Sequence, residues 1–443
     1  MKSLCLTLIF LLLQLHSLAY GGRLGQHTTT QPECSLPKDE GSTLRVIHVS
    51  SPCSPLKPKT SESWEENVIQ MLAQDQARVN YLSSLVSAKK SVAPVAWGRQ
   101  IMQTPTYLVR VNVGTPAQTF LMALDTSSDA AWLPCNGCLG CPGTSLFASD
   151  RSVSFKGVAC ATSQCHQVLN SVCVLNSCTF NQTYGGSTIA ATLSQDTIAL
   201  AQDPLPGYVF GCITKATGTS VPAQGLLGLG RGPLSLLSQS QNLYKSTFSY
   251  CLPSFKSSSF SGQLRLGPIA QPQKMQFTPL LKNPRRSSLY YVNLIGIKVG
   301  RKVVDIPPAA LAFDSTTGAG TVIDSGTVYT RLVQPAYIAV RDEFRRRMGR
   351  ATVTSLGGFD TCYNVPIKIP SLTFMFQGMN MSMAQDSFLL HSSSSSITCL
   401  AIAAAPDNVN SGLNVIASMQ QQNHRVLFDV PNSRLGIARE PCS

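Results

Sequence analysis

Two short Asp-containing motifs carry the clearest chemistry in this sequence. Asp125 opens Asp-Thr-Ser-Ser and Asp324 opens Asp-Ser-Gly-Thr, and each Asp follows an apolar run. Two carboxylates that are held close together cannot both ionise, so they would share one proton. One carboxylate could then take a proton from a water molecule while the other carboxyl donates its proton to a reacting oxygen. The motifs therefore predict a general acid–base dyad.

The surroundings of the two motifs repeat each other. Residues 121–133 and 321–332 share the same order of apolar, acidic, small and hydroxyl residues. An apolar segment with small residues follows each motif about 100 positions later, at 225–230 and at 415–419. Internal repetition of this kind indicates duplicated structural units. We expect two related lobes, each of which contributes one carboxylate to a cleft between them.

The elements that position these motifs are predicted to be strands. Several runs after residue 106 alternate in polarity or are continuously apolar and rich in β-branched residues, and Gly, Pro, Ser and Asn separate them. The clearest runs are 106–115, 118–124, 187–200, 290–299 and 425–430. Short helices are predicted only around 233–242 and 334–349. The pattern predicts a mainly β fold.

The N-terminal part differs from the rest. Residues 1–19 combine one Lys with a short apolar run and small residues before a cleavage point, which is typical of a signal peptide. No periodic pattern is found over residues 21–60. Residues 62–87 have apolar positions at helical spacing, and a basic linker with Lys89-Lys90 follows.

This order predicts a precursor. Its parts would be a signal peptide at 1–19, a prosegment and linker at 20–93, an N-terminal lobe at 94–275 and a C-terminal lobe at 276–443. The alternative is that the helix belongs permanently to the fold.

Charge and cysteine content limit the possible functions. The chain has 35 Lys and Arg against 22 Asp and Glu, a net charge of +13, but it has no long basic run or basic motif interleaved with aromatic residues. Arg345, Arg346, Arg347 and Arg350 are best interpreted as a solvated helix face. Of 15 Cys, 12 lie between 135 and 442. The spacing at 135–141 could hold zinc, but after a signal peptide we favour disulfides and predict no metal site.

The two Asp motifs resemble those of the pepsin-type aspartic proteases, in the plant nepenthesin-like branch of apoplastic and nucleoid-protease relatives. Further phrases that match this branch lie at 51–56, 184–187, 210–212, 248–252 and 420–429. The resemblance implies a bilobal fold with two β-rich lobes, a central cleft and few short helices. It also implies an aspartic endopeptidase that uses dyad-activated water at acidic pH and needs no cofactor.

The resemblance also implies roles for individual residues. Asp125 and Asp324 would be catalytic, and Tyr184, Gly326 and Thr327 would contact substrate, with Tyr184 on a β-hairpin flap. A half-buried strand tyrosine is the alternative for Tyr184. Three residues would support the dyad through hydrogen bonds: Thr126, Ser128 and Ser325.

The resemblance further implies a disulfide between Cys362 and Cys399. Independently of it, Asn181 and Asn380 begin sequons that permit N-glycosylation in a secreted chain.

Three positions depart from the family pattern. Ser127 replaces the usual Gly of the first motif, and Ala417-Ser418 replaces Gly-Asn or Gly-Asp in the second apolar segment. We expect these departures to affect activity rather than the fold.

Two classes of function follow from the sequence. The first is an active secreted protease acting on protein or peptide substrates. The second is a catalytically weak relative that acts as a binding or inhibitor protein in the extracellular space. We further expect a monomer without a membrane anchor or nucleic-acid partner, in the apoplast rather than the vacuole.

Overall fold

Most of this chain forms strands, as its alternating and β-branched runs predict. A computed structural model describes residues 41–49, 51, 53–56, 63–86, 106–143, 145–254, 262–272, 274–284, 286–364, 366–392, 396–406 and 412–442. The predicted signal peptide, the Lys89-Lys90 linker and residues 88–105, where we expect the N-terminus of a mature form, lie outside the described residues. All described residues belong to one unit, Leu36–Ser443.

The strands of the N-terminal half are β1 (Thr43–His48), β2 (Tyr107–Val113), β3 (Gln118–Asp125), β4 (Trp132–Leu139), β5 (Lys156–Gly157), β6 (Val172–Val174), β7 (Ser177–Tyr184), β8 (Ser187–Leu200), β9 (Asp203–Thr217), β10 (Leu226–Gly228), β11 (Thr247–Cys251) and β12 (Gly262–Leu266). Those of the C-terminal half are β13 (Gln276–Leu281), β14 (Tyr291–Val292), β15 (Leu294–Val299), β16 (Lys302–Val303), β17 (Gly320–Ile323), β18 (Thr330–Leu332), β19 (Thr354–Leu356), β20 (Phe359–Asn364), β21 (Leu372–Phe376), β22 (Met379–Ser382), β23 (Leu389–His391), β24 (Ile397–Leu400), β25 (Ile402–Ala404), β26 (Leu413–Ile416), β27 (His424–Asp429) and β28 (Arg434–Arg439).

Helices are few and mostly short. They are α1 (Trp64–Val86), α2 (Ser163–His166), α3 (Leu236–Gln239), α4 (Gln241–Tyr244) and α5 (Gln334–Arg347). The helix predicted at 62–87 is confirmed as α1, the one at 334–349 is confirmed as α5, and the one at 233–242 is divided into α3 and α4. The mainly β prediction is confirmed.

The predicted internal repeat is visible in the strand pairing. In the N-terminal lobe, β2 pairs antiparallel with β3, β3 parallel with β10, β10 antiparallel with β4, and β4 parallel with β9. In the C-terminal lobe, β14, β17, β26, β18 and β25 pair in the same sequence of directions. The two lobes therefore carry the same five-strand motif.

Antiparallel strands join the lobes. The strands β12, β11, β27, β28 and β13 pair in that order, so that the end of the chain returns to lie between the two halves. Phe248 of β11 and Phe428 of β27 stack with ring centroids 4.5 Å apart, and both are fully buried. This shared layer of strands connects the two lobes and fixes the position of one five-strand motif relative to the other.

The N-terminal segment joins the fold through one strand and one helix. Strand β1 adds antiparallel to both β2 and β12, which corrects the expectation that residues 21–60 carry no pattern. Its Leu44 and Val46 are fully buried, so a short alternation is enough when two partner strands are available. Helix α1 starts with a capping box, because Ser63 Oγ accepts from the Glu66 N–H at 3.1 Å and Glu66 Oε2 accepts from the Ser63 N–H at 3.0 Å.

Candidate active site

Each motif Asp lies at the carboxyl end of a strand in the repeated unit. Asp125 is the last residue of β3, Asp324 directly follows β17, and both side chains are buried. Gly228 of β10 lies opposite Asp125 in parallel register, and Ile416 of β26 lies opposite Ile323. The duplicated pairing therefore places the two carboxylates at equivalent points of the two lobes.

The loop that follows Asp125 supplies three donors to its carboxylate. The Ser127 N–H and the Ser127 hydroxyl both donate to Oδ1 at 2.8 Å, and the Ser128 hydroxyl donates to Oδ2 at 3.0 Å. Ser127 is not among the residues with positive φ, so its Cβ is accommodated without the backbone conformation that favours glycine. Ser127 therefore adds a hydrogen bond to the carboxylate at the position where the family usually has Gly.

Asp324 is held by fewer donors. The Gly326 N–H donates to Oδ1 at 3.1 Å, and the Thr327 hydroxyl donates to Oδ2 at 2.6 Å. A Cβ on Gly326 would lie 2.9 Å from the carboxyl carbon of Asp125. The second loop thus needs glycine because the two Asp loops approach each other at this point.

Reciprocal hydrogen bonds cross the lobe interface next to the dyad. The Thr126 N–H donates to Ser325 Oγ at 3.2 Å, and the Ser325 N–H donates to Thr126 Oγ1 at 3.0 Å. The Ser325 hydroxyl in turn donates to the carbonyl oxygen of Leu124 at 3.0 Å. Each lobe therefore positions the other lobe's Asp loop.

Small residues line the segment behind each loop. A Cβ on Gly228 would lie 2.5 Å from the carbonyl oxygen of Ala130, so glycine is required there. Ala417, at the equivalent place, is buried with its Cβ and donates its N–H to Thr330 Oγ1 at 3.1 Å. The Ser418 N–H donates to the Thr327 carbonyl at 2.9 Å. The second lobe thus accommodates both departures within its hydrogen-bonded frame.

Tyr184 ends β7, directly before the Gly185-Gly186 turn that leads into β8. Its side chain is only 2% exposed, and its ring makes an edge contact with Trp132 at a centroid distance of 5.2 Å. Burial raises the pKa of Tyr184 well above its usual value, and the nearby Asp125 charge raises it further. The hairpin formed by β7 and β8 therefore brings Tyr184 close to Asp125, the carboxylate of the N-terminal lobe.

Comparisons with known proteins agree with this geometry. Family models described as xylanase inhibitor N-terminal and C-terminal match residues 107–268 and 289–439. Aspartyl protease AED3 of Arabidopsis thaliana is 48% identical over 94% of this chain and 95% of its own length. Aspartic proteinase nepenthesin-1 of Nepenthes gracilis is 33% identical over 76% of this chain and 78% of its own.

This chain belongs to the plant pepsin-type aspartyl proteases. Aspartyl protease 25 of Oryza sativa subsp. japonica is another relative, 45% identical over 91% of this chain and 95% of its own. Among solved structures, edgp covers 76% of this chain and 92% of its own at a TM-score of 0.64 and 21% identity. Basic 7S globulin from soybean gives 0.62 at 21% identity, covering 76% and 94%. These two likenesses show the bilobal fold alone.

In this protease, helix α1 lies directly over the dyad. Arg78 Nη2 lies 2.6 Å from Asp125 Oδ2, and Arg78 Nε lies 3.7 Å from Asp324 Oδ2. The same guanidinium donates to the Ser127 hydroxyl and lies 4.7 Å from the centre of the Tyr184 ring. Burial raises the pKa of Asp324, and the Asp125 charge adds to this effect while Arg78 opposes it. A cation from α1 therefore occupies the place between the carboxylates where chemistry would occur.

A second charged residue of α1 contacts the C-terminal lobe one turn earlier. The Asp75 carboxyl accepts the N–H groups of Val328 and Tyr329 at 2.7 and 2.6 Å. Burial raises the pKa of Asp75 to about 7, although Arg331 and both N–H donors act to lower it. Helix α1 is thus fixed by polar contacts at two successive turns.

Asp75 and Arg78 were not predicted as site residues, although the sequence carries a trace of both. They fall among Leu72, Val79 and Leu82, which are buried on the face of α1 that packs against the protein. Charged residues on an apolar helix face are rarely buried without a partner. That anomaly indicates polar partners, but it does not identify them.

All twelve cysteines of the main body are paired. Cys135 bonds to Cys212 and Cys138 to Cys141, so the three thiolates of the zinc alternative are used in disulfides. Four further pairs are Cys160–Cys173, Cys165–Cys178, Cys251–Cys442 and Cys362–Cys399. The Cys362–Cys399 bond joins the paired strands β20 and β24.

Surface features bear on the remaining expectations. Asn181 and Asn380 are both exposed. Arg346 and Arg347 pair with Glu343 at 2.7 and 2.8 Å, so these two cations of α5 are engaged within the chain. Among the described residues, none of the helices combines the length and apolar character needed to cross a bilayer.

Proposed function

We propose that this protease is made as a latent precursor of a secreted aspartic endopeptidase that works at acidic pH. The observation that carries the proposal is the dyad itself. Asp125 and Asp324 lie at equivalent strand ends of a duplicated motif, and reciprocal hydrogen bonds between Thr126 and Ser325 lock their loops together across the lobes. This is the arrangement that lets two carboxylates act on one substrate.

The different surroundings of the two carboxylates support a division of roles between them. We assign the shared proton to Asp324, whose own loop supplies two donors, and Asp324 gives this proton to the carbonyl oxygen of the scissile peptide. Asp125, which accepts three hydrogen bonds from its own loop, takes the proton of the attacking water. The Tyr184 hairpin closes the cleft over the substrate and excludes solvent.

The position of α1 explains latency. Substrate cannot reach the dyad while Arg78 bridges the carboxylates, so α1 has to leave before catalysis begins. We assign residues 20–93 to the prosegment and linker, with the mature N-terminus between about 88 and 105, as the change in composition there indicates. The lobes 94–275 and 276–443 would form the mature enzyme.

Secretion is supported by the signal-like residues 1–19 and by six disulfides in the mature lobes, which form in oxidising compartments. We place the enzyme in the extracellular space, the apoplast rather than the vacuole, as a monomer that acts on protein or peptide substrates. The exposed Asn181 and Asn380 would carry N-glycans. No nucleic-acid partner or membrane anchor is part of the proposal.

The alternative is a catalytically weak binding or inhibitor protein. The observation that favours it is the match to family models described as xylanase inhibitor domains. Retention of both aspartates within complete hydrogen-bonded loops favours the enzyme.

The test is peptide cleavage by the purified mature protein across pH. We expect pepstatin-sensitive cleavage between about pH 2 and 6, a range set by a pepsin-type dyad, in which one pKa lies well below the usual carboxyl value and the other is about 4.7. Asp125→Asn and Asp324→Asn should each abolish cleavage without unfolding the chain. Asp342→Asn, which changes an exposed carboxylate, is the matched control. A folded wild-type protein without such cleavage would refute the protease proposal and leave the binding protein in its place.

A further inference from the structure

The contact made by Asp75 shows what the C-terminal side of the cleft can bind. Its carboxyl accepts two successive backbone N–H groups, those of Val328 and Tyr329, immediately after the second Asp motif. Neighbouring N–H groups that point at one ligand are an anion-binding arrangement. These donors belong to the enzyme and remain in place when α1 leaves.

A buried arginine adds charge to the same place. Arg331 is 5% exposed and is the principal cation that acts on the Asp75 carboxyl. Its Nη2 donates to the Leu72 carbonyl at 3.0 Å, and its Nη1 lies 3.4 Å from Gln76 Oε1 and 3.1 Å from the Ala404 carbonyl. Within the part of the chain that the structure describes, its buried Nε has no acceptor.

Two of the three acceptors of Arg331 belong to α1. When α1 leaves, the guanidinium retains only the Ala404 carbonyl in the described structure. Water would then take the place of the lost acceptors, and an acceptor of the substrate could displace it. The cleft beside the dyad therefore gains a positive group that a substrate acceptor can reach once α1 has left.

Space for a replacement is already present. A cavity of about 550 Å³ lies between α1 and the C-terminal lobe, and Arg331 and Gln76 both line it. Its other walls are formed by α5, by residues 403–406, and by Gly358 and Asp360, whose carboxylate pairs with Arg341 and Arg345. Removal of α1 would open this cavity into the cleft.

We propose that Val328 N–H, Tyr329 N–H and Arg331 form a subsite for an acidic side chain of the substrate, Asp or Glu. The proposal rests on the protease function above and names the kind of peptide it selects. Asp75 precedes Arg78 by one helical turn, an axial rise of about 4.5 Å. An extended peptide advances about 3.3 Å per residue, so the acidic residue should lie within about three positions of the scissile bond.

The ionisation of the Asp75 carboxyl is opposed by its burial beneath α1. Burial is the largest influence on the pKa of Asp75 and raises it, whereas Arg331 and the two N–H groups lower it. A substrate carboxylate in the open cleft keeps the two N–H donors and the nearby Arg331 charge and loses much of the burial. It should therefore bind as an anion.

The test uses the mature enzyme and peptides that are acetylated and amidated at their ends. One cleavable peptide is varied with Asp or Asn at each of three positions on either side of the scissile bond. At one position, kcat/KM at pH 5 should be about tenfold higher for Asp than for Asn, mainly through KM, the usual effect of a hydrogen bond to a charged group. The preference should shrink below about pH 4, where the substrate Asp takes up a proton.

Variants identify the cation. Arg331→Gln should bring the Asp-to-Asn ratio close to one, whereas Arg331→Lys, which keeps the charge, should retain part of it. Arg341→Gln is the matched control, because Arg341 lines the same cavity but pairs with Asp342 and Asp360, and it should keep the ratio. A ratio that Arg331→Gln leaves unchanged would overturn the proposal.

A binding measurement separates this proposal from the protease function. Asp and Asn peptides are titrated onto the mature Asp324→Asn protein and followed by fluorescence anisotropy. Tighter binding of the Asp peptide without any cleavage by the wild-type enzyme would support the subsite and refute the protease. Cleavage without an Asp preference at any position would refute the subsite alone. A preference seen only with a free C-terminal carboxylate would also overturn the side-chain proposal.

Discussion

If the chain is the latent precursor proposed above, replacing Arg78 with Gln should make the intact chain a partly active enzyme. Arg78 is a buried cation that contacts both carboxylates of the dyad, Asp125 at 2.6 Å and Asp324 at 3.7 Å. Removing one partner of a buried ion pair costs about 3–5 kcal/mol, because a charge is left without compensation. If that cost falls on the docked state, α1 should dock roughly 100- to 5,000-fold less tightly.

This loss is smaller than the apolar contribution to docking. Each buried apolar side chain contributes about 1.5–3 kcal/mol as an upper estimate. Four such side chains of α1 are buried against the protein: Val68, Leu72, Val79 and Leu82. In the Arg78→Gln variant, α1 should therefore still be docked most of the time, but it should open more often than in the wild type. We expect the Arg78→Gln precursor to be clearly more active than the wild-type precursor and less active than the mature enzyme.

The assay is cleavage of a fluorogenic peptide at pH 5 by freshly purified precursor, with mass spectrometry to confirm that the chain is still intact. Arg346→Gln is the control, because it removes the same charge from an exposed position on α5. Equal activity of the wild-type and Arg78→Gln precursors, alongside an active mature enzyme, would refute the inhibitory role of Arg78.

Three further changes test other parts of the structure. Ser127→Gly removes a hydroxyl donor to Asp125, so kcat/KM should fall about tenfold, and an unchanged value would show that this hydroxyl contributes nothing. Burial lowers the pKa of His48 from 6.5 to about 3, so the unfolded chain binds the extra proton and stability present above pH 6.5 is lost as the pH falls. When the pH is lowered from 7.5 to 4.5, the free energy of unfolding measured with urea should fall by about 3 kcal/mol less for His48→Phe than for the wild type. Equal decreases in the two proteins would contradict the lowered pKa of His48. Replacing Cys251 and Cys442 with Ser opens a bond between residues 191 positions apart and should cost about 5 kcal/mol of unfolding free energy, whereas an unchanged melting temperature in calorimetry would exclude it.

The dyad could be predicted from sequence because each half of it is local. An apolar strand, an Asp and a run of small or hydroxyl residues occupy about a dozen consecutive positions, and the chain contains this pattern twice. The later apolar segments could be paired with the two motifs for the same reason, and the parallel registers of β10 with β3 and of β26 with β17 confirm that pairing. Because the unit is duplicated, contacts between residues far apart in the sequence could be inferred by comparing two short segments.

Elements that are stabilised by distant partners were harder to predict from the sequence. Strand β1 contains only a brief alternation, and it forms because β2 and β12 provide hydrogen-bonding edges on both sides. The role of Ser127 was also inaccessible, since the direction of its hydroxyl depends on the folded loop around Asp125.

The sequence by itself determined the mainly β fold, the two aspartates, the duplicated lobes and the helix that precedes them, because each depends on periodicity or on neighbouring residues. Only the tertiary structure showed that Arg78 meets the carboxylates of both lobes and that Asp75 meets the N–H groups beside Arg331. A charge on an apolar helix face indicates that a partner exists. Which partner it meets depends on residues about 50 to 250 positions away, and folding alone brings these together.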